Sequence, residues 1–256
     1  MRFIGQKHIM NVLVTDLPEL YRNPGETENY LFVGPSGYGK TTMALEVCNF
    51  LANDTFEMYL ADDKPFSLKH RVVFIDEIHR VKSHEVLYPH MDNKQHVFVF
   101  ASNLSGNLPE AFRTRCSEFN FTEYSDEELC LMITEQSRFK ISEENALKIV
   151  DAGQRNPRVI GKLMVNLSRY FNANQFLDPL TADFTTILKD TFMIEDGLDV
   201  ACRSYLEVME RVGKRASLTL LKNLLHLDTE TITNRIEPVL LRKGLIIITS
   251  KGRVLL

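Results

Sequence analysis

Residues 34–41 read Gly-Pro-Ser-Gly-Tyr-Gly-Lys-Thr, and no other stretch restricts the fold so tightly. The loop follows an apolar run, Tyr30 to Gly34, and leads into a stretch at 40–52 with helical character. Glycines let consecutive backbone N–H groups converge on phosphate oxygens, a lysine reaches the β and γ phosphates, and a hydroxyl ligates Mg2+. Gly34, Gly37, Gly39, Lys40 and Thr41 stand at that spacing, with Pro35, Ser36, Tyr38 and Thr42 completing the lining. The positive end of the following helix faces the anion. The pattern predicts a nucleotide site for ATP with Mg2+, entered from a buried parallel strand.

Two further apolar runs carry polar residues at their C-terminal ends. Val72 to Ile75 leads into Asp76-Glu77, and Val97 to Ala101 leads into Ser102-Asn103. Strands of this kind alternating with helices predict a doubly wound α/β sheet. Asp76 can hold Mg2+ through water, and Glu77 can orient or deprotonate the attacking water, the positioning that phosphoryl transfer needs. Asn103 can reach between the acidic pair and the γ-phosphate; its plainer reading is a turn-forming Asn. Arg113, Arg115 and Arg158 are candidates to stabilise transferring phosphoryl charge, against the alternative that each is a surface arginine.

From residue 124 onward the signals are helical. Ser125 with Glu128 forms a capping box, Ser142 caps a helix ending near Gly153, and Asn156-Pro157 is an N-cap followed by proline. After Gly197 a helix to about Val212, a short one from Ser217 to Leu227 and a longer one from Asp228 to Gly244 are expected, with Pro238 kinking the last. Leu245 to Thr249 and Arg253 to Leu256 then read as a small hairpin. Three helices and a hairpin describe a winged helix. The expected domains are therefore an α/β core at 1–123, an all-helical lid at 124–195 and a winged helix at 196–256.

Net charge is −4, which excludes a general basic coat, yet residues 197–256 carry 10 Lys+Arg against 6 Asp+Glu. Lys214, Arg215, Arg242, Lys243, Lys251 and Arg253 are the candidate DNA contacts there; the alternative is a protein-docking surface. No apolar run approaches the ~20 residues needed to span a bilayer. The N-terminus lacks a signal-peptide core, and Cys48, Cys116, Cys130 and Cys202 show no pairing or metal-ligand rhythm. A cytoplasmic chain with reduced thiols is expected.

GPSGYGKTT (34–42), IDEIHR (75–80) and EVLYPHMD (85–92) together resemble the RuvB family, AAA+ motors of Holliday-junction branch migration. The similarity runs on through NPRVIGKLMVNLSRY (156–170), DGLD (196–199), TITNRIEPVLLRKGLI (231–246) and SKGRVLL (250–256). It implies an AAA+ P-loop core, a helical lid and a C-terminal winged helix. By the resemblance Lys40 and Thr41 are the Walker A lysine and Mg2+ ligand, and Asp76 and Glu77 are the Walker B pair. Asn103 is sensor 1, Arg115 in FRTRC (112–116) is an arginine finger acting on the next subunit, and Arg158 is sensor 2. Ile4 belongs to the segment beside the adenine. A finger acting in trans implies a ring, expected to be a hexamer.

The chain also departs from the family. Only Asn93 to His96 stand where RuvB carries the β-hairpin that docks on RuvA, so docking of that kind is not expected. Leu51 to His70 is shortened, little precedes Ile4, and sensor 1 is Asn rather than the family's Thr. A compact, diverged relative is expected, such as a phage or mobile-element protein working in a bacterial host's cytoplasm. The leading functional expectation is an oligomeric DNA-dependent ATPase that remodels or translocates DNA. The alternatives are a loader that places another protein on DNA, and a winged-helix DNA-binding regulator whose assembly ATP controls.

Overall fold

The structure is a computed structural model that describes residues 3–52, 55–61, 66, 68–103 and 108–256. Two compact units are present, Met1–Met132 and Ile133–Leu256.

The first unit contains α1 (Lys7–Arg22), β1 (Tyr30–Val33), α2 (Lys40–Ala52), β2 (Glu57–Leu60), β3 (Val72–Asp76), α3 (Tyr88–Asp92), β4 (Val97–Ser102), α4 (Glu110–Arg113) and β5 (Ser117–Asn120). The strands form one parallel sheet in the order β2-β3-β4-β1-β5. All of β1 and β4, and β3 up to Ile75, are buried, as near-continuous apolar strands with both faces covered must be. The order places the late strand β4 between β1 and β3, in a register that pairs Val33 with Ser102 and Ile75 with Phe100. The C-terminal ends of these three strands therefore lie side by side at the crevice where α/β sheets receive ligands. α1, which no cap or motif announces, buries Ile9, Leu13, Leu17 and Leu20, an apolar stripe at helical spacing.

α5 (Asp126–Gln136) crosses the division between the units at 132/133. Ser125 and Glu128 bond reciprocally, Glu128 N–H donating to Ser125 Oγ at 3.2 Å and Ser125 N–H to Glu128 Oε2 at 3.0 Å. This is the geometry of a capping box. α6 (Glu143–Ala152), α7 (Pro157–Ala173) and α8 (Phe184–Phe192) follow, with Ser142, Asn156 and Asp183 each accepting from first-turn N–H groups.

The C-terminal part comprises α9 (Val200–Arg211), β6 (Arg215–Ala216), α10 (Leu218–Leu225), α11 (Thr229–Thr231), α12 (Glu237–Arg242), β7 (Ile246–Thr249) and β8 (Gly252–Leu255). The helix expected from Asp228 is broken rather than gently kinked: a π turn at Ile232–Ile236 separates α11 from α12. Pro238 supplies no N–H and its ring collides with the carbonyl of the preceding turn, so the backbone widens just ahead of it. The hairpin gains a third strand, giving an antiparallel sheet β6-β8-β7. Gly252 permits the approach of β8 to β6: a Cβ there would lie 2.6 Å from the Ala216 carbonyl oxygen, at φ +119°. Tyr205, Leu221, Ile232, Ile236, Leu240 and Ile246 form the core of this part, while Leu224 is exposed. Among the described residues no helix is long and apolar enough to cross a membrane.

Candidate active site

The glycine loop joins β1 to α2 against the end of β4, with Gly34 N–H donating to the Ser102 carbonyl at 3.3 Å. Gly34 has φ +155°, and a Cβ there would meet Phe121 Cβ at 2.7 Å, so only glycine fits. Lys40 is buried, and its Nζ donates to Pro35 O and to Asn103 Oδ1, each at 2.8 Å. Thr41 Oγ1 donates to Asp76 Oδ2 at 3.1 Å. Ser36 and Thr42 are exposed, and Tyr38 is buried.

Glu77 follows β3 in the left-handed region, at φ 53° and ψ 38°. For a non-glycine residue that conformation costs about 1–3 kcal/mol and is retained where surrounding contacts hold it. Here Glu77 N–H donates to Asp76 Oδ1 at 2.8 Å. Asn103 Nδ2 donates to both carboxylate oxygens of Glu77, at 3.0 and 3.1 Å. Lys40, Asn103 and Glu77 thus form one hydrogen-bonded chain, and Asp76 joins it to Thr41. Five residues predicted from separate strings, at 40, 41, 76, 77 and 103, come together.

Four further residues, His79, Ser102, Tyr124 and Gln6, also support this site. His79 Nε2 lies 3.2 Å from Glu77 Oε2, and its Nδ1 lies 3.2 Å from Ser102 Oγ. Burial holds the His79 pKa below the usual imidazole value against an opposing pull from Glu77, with Arg80 and Lys40 adding to the depression. Tyr124 donates its hydroxyl to the Tyr38 carbonyl at 2.7 Å, clamping the loop from a residue just before α5. Burial pushes that phenol up to about 12. Gln6 exchanges hydrogen bonds with the Thr122 backbone, at 2.8 and 3.0 Å. The half-buried Ile4 therefore sits in a segment tied beside the loop, with the Phe3 ring facing Gly39 and Gly5 against Tyr124. These pairings span 86 and 116 positions, beyond the reach of any local pattern.

Arg115 lies past the end of α4 with its side chain about one-third exposed. Its guanidinium stands 4.6 Å from the Tyr88 ring centre, Nε donates to Asp92 Oδ1 at 2.9 Å, and Nη1 donates to Ala111 O at 2.6 Å. Tyr88 and Asp92, both in the string EVLYPHMD, thus brace it. Arg113 instead forks onto Glu118 at 2.7 and 3.1 Å. Arg158 stands in the second unit, exposed on the first turn of α7, its N–H donated to Asn156 Oδ1 at 3.0 Å.

The candidate DNA contacts divide into two groups. Lys214, Arg215 and Lys251 are exposed. Arg253 requires correction: its Nε and Nη2 donate to the two oxygens of the buried Glu237, at 2.7 and 3.1 Å. It closes the winged-helix core instead of presenting its charge outward. Lys243 and Arg242 are also engaged within the unit, Lys243 Nζ with Asp151 Oδ1 at 2.6 Å and Arg242 Nη1 with the Gln154 carbonyl at 2.9 Å.

Comparison with known proteins agrees with this construction. Residues 30–124 match the ATPase family associated with various cellular activities (AAA), and residues 195–255 match the RuvB C-terminal winged helix domain. The Holliday junction branch migration complex subunit RuvB of Mycoplasma genitalium is 25% identical, over 99% of this chain and 92% of that protein. The same subunit of Crocosphaera subtropica is 27% identical, over 98% of this chain and 82% of its own length. The solved Thermotoga maritima RuvB Holliday junction branch migration motor superposes with a TM-score of 0.84 at 25% identity, covering 99% of this chain and 93% of that one. A nucleotide-loop core continued along the whole length by this architecture identifies the chain as a RuvB-like AAA+ ATPase with a RuvB C-terminal winged helix domain.

Proposed function

We propose that this chain is an oligomeric DNA-dependent motor that couples ATP hydrolysis to the remodelling of branched DNA. The observation that carries the reading is the joining, in one chain, of the Lys40–Asn103–Glu77 network to a RuvB-type winged helix. The domains proposed are a core at 1–123, a lid at 124–195 and the winged helix at 196–256. In the reaction, water attacks the γ-phosphorus, the bond to the β–γ bridging oxygen breaks, and ADP and phosphate leave. Glu77 orients the water and takes its proton, while Lys40 and Asn103 hold the phosphates. The Thr41 hydroxyl and Asp76 carboxylate, 3.1 Å apart, are hard oxygen donors that suit Mg2+, which neutralises phosphate charge when bound. Arg115 completes the neighbouring subunit's site, and Arg158 reports on the γ-phosphate from the lid, so the working form is a ring, proposed as a hexamer.

The test is ATPase rate without DNA and with duplex, forked and four-way DNA, beside a branch-migration assay. Stimulation by four-way DNA with strand exchange is expected. A rate indifferent to every DNA would overturn the proposal. A second reading, a loader for another protein on DNA, is favoured by one observation: α3 connects to β4 through only Asn93–His96, leaving no docking hairpin there. DNA stimulation without strand exchange is its signature, and a partner other than RuvA is then expected.

Three of the exposed cations give a separate prediction. Neutralising Lys214, Arg215 and Lys251 together is expected to weaken DNA binding and to flatten its log-log salt dependence by about 0.9 for each lost phosphate contact. An unchanged slope would move the DNA surface elsewhere.

A further inference from the structure

We infer that His79, set by Ser102, is a positioning residue that holds the Glu77 carboxylate in its working orientation; the inference rests on Glu77 being the group that activates water. Glu77 leaves β3 in a left-handed conformation, and the 3-10 turn at Ile78–Arg80 brings His79 back beneath it. The imidazole is only 12% exposed and bridges two groups, Glu77 Oε2 and Ser102 Oγ, each at 3.2 Å. A carboxylate is acceptor-only, so Nε2 must carry the proton on the Glu77 side. In a neutral ring Nδ1 is then the acceptor, and the buried Ser102 hydroxyl donates to it. The Glu77 carboxylate thereby fixes the tautomer, and the Ser102 hydroxyl anchors the ring through its other nitrogen.

The other contacts on that carboxylate are of a different kind. Asn103, which holds both oxygens, also accepts from Lys40, and both residues are committed to phosphate in the proposed reaction. Arg80 stands at 3.8 Å with 62% of its side chain exposed. His79 has no phosphate role and is braced from behind by β4. It is the contact that persists when Lys40 and Asn103 engage nucleotide, keeping the carboxylate from swinging in its strained turn.

The test uses the full chain and measures kcat, KM for ATP and the affinity for a fluorescent ATP analogue. Four variants are compared: His79→Leu, His79→Gln, Ser102→Ala and Glu77→Gln. His79→Leu is expected to lower kcat roughly 10- to 100-fold, by analogy with the loss of the outer hydrogen-bond partner of a metal ligand. KM and analogue affinity should stay within about twofold, since no nucleotide contact is lost. His79→Gln, whose amide N–H can reach the same oxygen, should recover most of kcat, and Ser102→Ala should fall between. A His79→Leu kcat within twofold of wild type would overturn the inference. So would a joint loss of kcat, affinity and melting temperature that Gln does not rescue, which would mark His79 as merely structural. Glu77→Gln separates the two levels: wild-type turnover in that variant removes the role of Glu77 itself, whereas a dead Glu77→Gln beside an active His79→Leu removes only the role of His79.

Discussion

Arg115→Ala and Glu77→Gln are each expected to bind ATP normally yet lose about three orders of magnitude in turnover, and an equimolar mixture of the two should regain part of the rate. The magnitudes follow from the roles. An arginine that meets transition-state charge is worth about 10³–10⁵, and a positioned base about 10²–10⁴. Neither side chain is a ground-state phosphate ligand in the proposed reaction, so affinity should survive. Restoration by mixing follows from geometry: a site built from Glu77 of one variant and Arg115 of the other is intact only if the arginine acts across a subunit boundary. Arg115 is suited to that role, because Tyr88 and Asp92 brace it while a third of it stays open. Two inactive variants that stay inactive when mixed, having been shown to co-assemble, would refute action in trans. Full activity of Arg115→Ala would leave the residue as a surface arginine paired with Asp92.

The second large effect concerns stability. Glu237 is only 2% exposed, both its oxygens accept from Arg253, and Tyr205 donates its hydroxyl to Oε1 at 3.1 Å. Burial, reinforced by the adjacent Glu237, pushes the Tyr205 phenol above its ordinary range. Removing one partner of such a pair leaves a charge without compensation in the core and costs about 3–5 kcal/mol. Glu237→Leu and Arg253→Met should each lower the melting temperature of the second unit by roughly 10–25 °C. The double replacement should recover much of the loss, because apolar groups of similar volume leave no orphaned charge. Melting unchanged by Arg253→Met, together with weakened DNA binding, would return Arg253 to the DNA surface.

Why some residues were readable and others were not comes down to the distance over which each acts. The caps at Ser125, Ser142 and Asn156 were legible because a cap is satisfied within three residues of itself. The loop at 34–41 was legible because phosphate binding by backbone N–H groups imposes a spacing. Arg253 was misleading, and the engagement of Lys243 was not legible, because a charge in a sequence carries no record of its partner. Glu237 lies 16 positions from Arg253 and Asp151 lies 92 from Lys243. Pro238 announced a disturbed helix, but whether that helix bends or opens into a π turn depends on which of its faces must stay in the core. β6 is two residues long, too short for any alternation to show, and exists because β8 offers it an edge.

The residues alone determined the chemistry on offer: a phosphate loop, two acidic groups after a strand, an amide after another, and arginines beyond them. They also determined where helices start, because capping is local. Only the tertiary structure decided that β4 inserts between β1 and β3, and that insertion sets Asn103 against both Lys40 and Glu77. It alone placed His79 and Ser102 behind the carboxylate and turned Arg253 inward. Strand order and charge pairing are settled by burial and hydrogen-bond satisfaction across long separations, which no short stretch of sequence encodes.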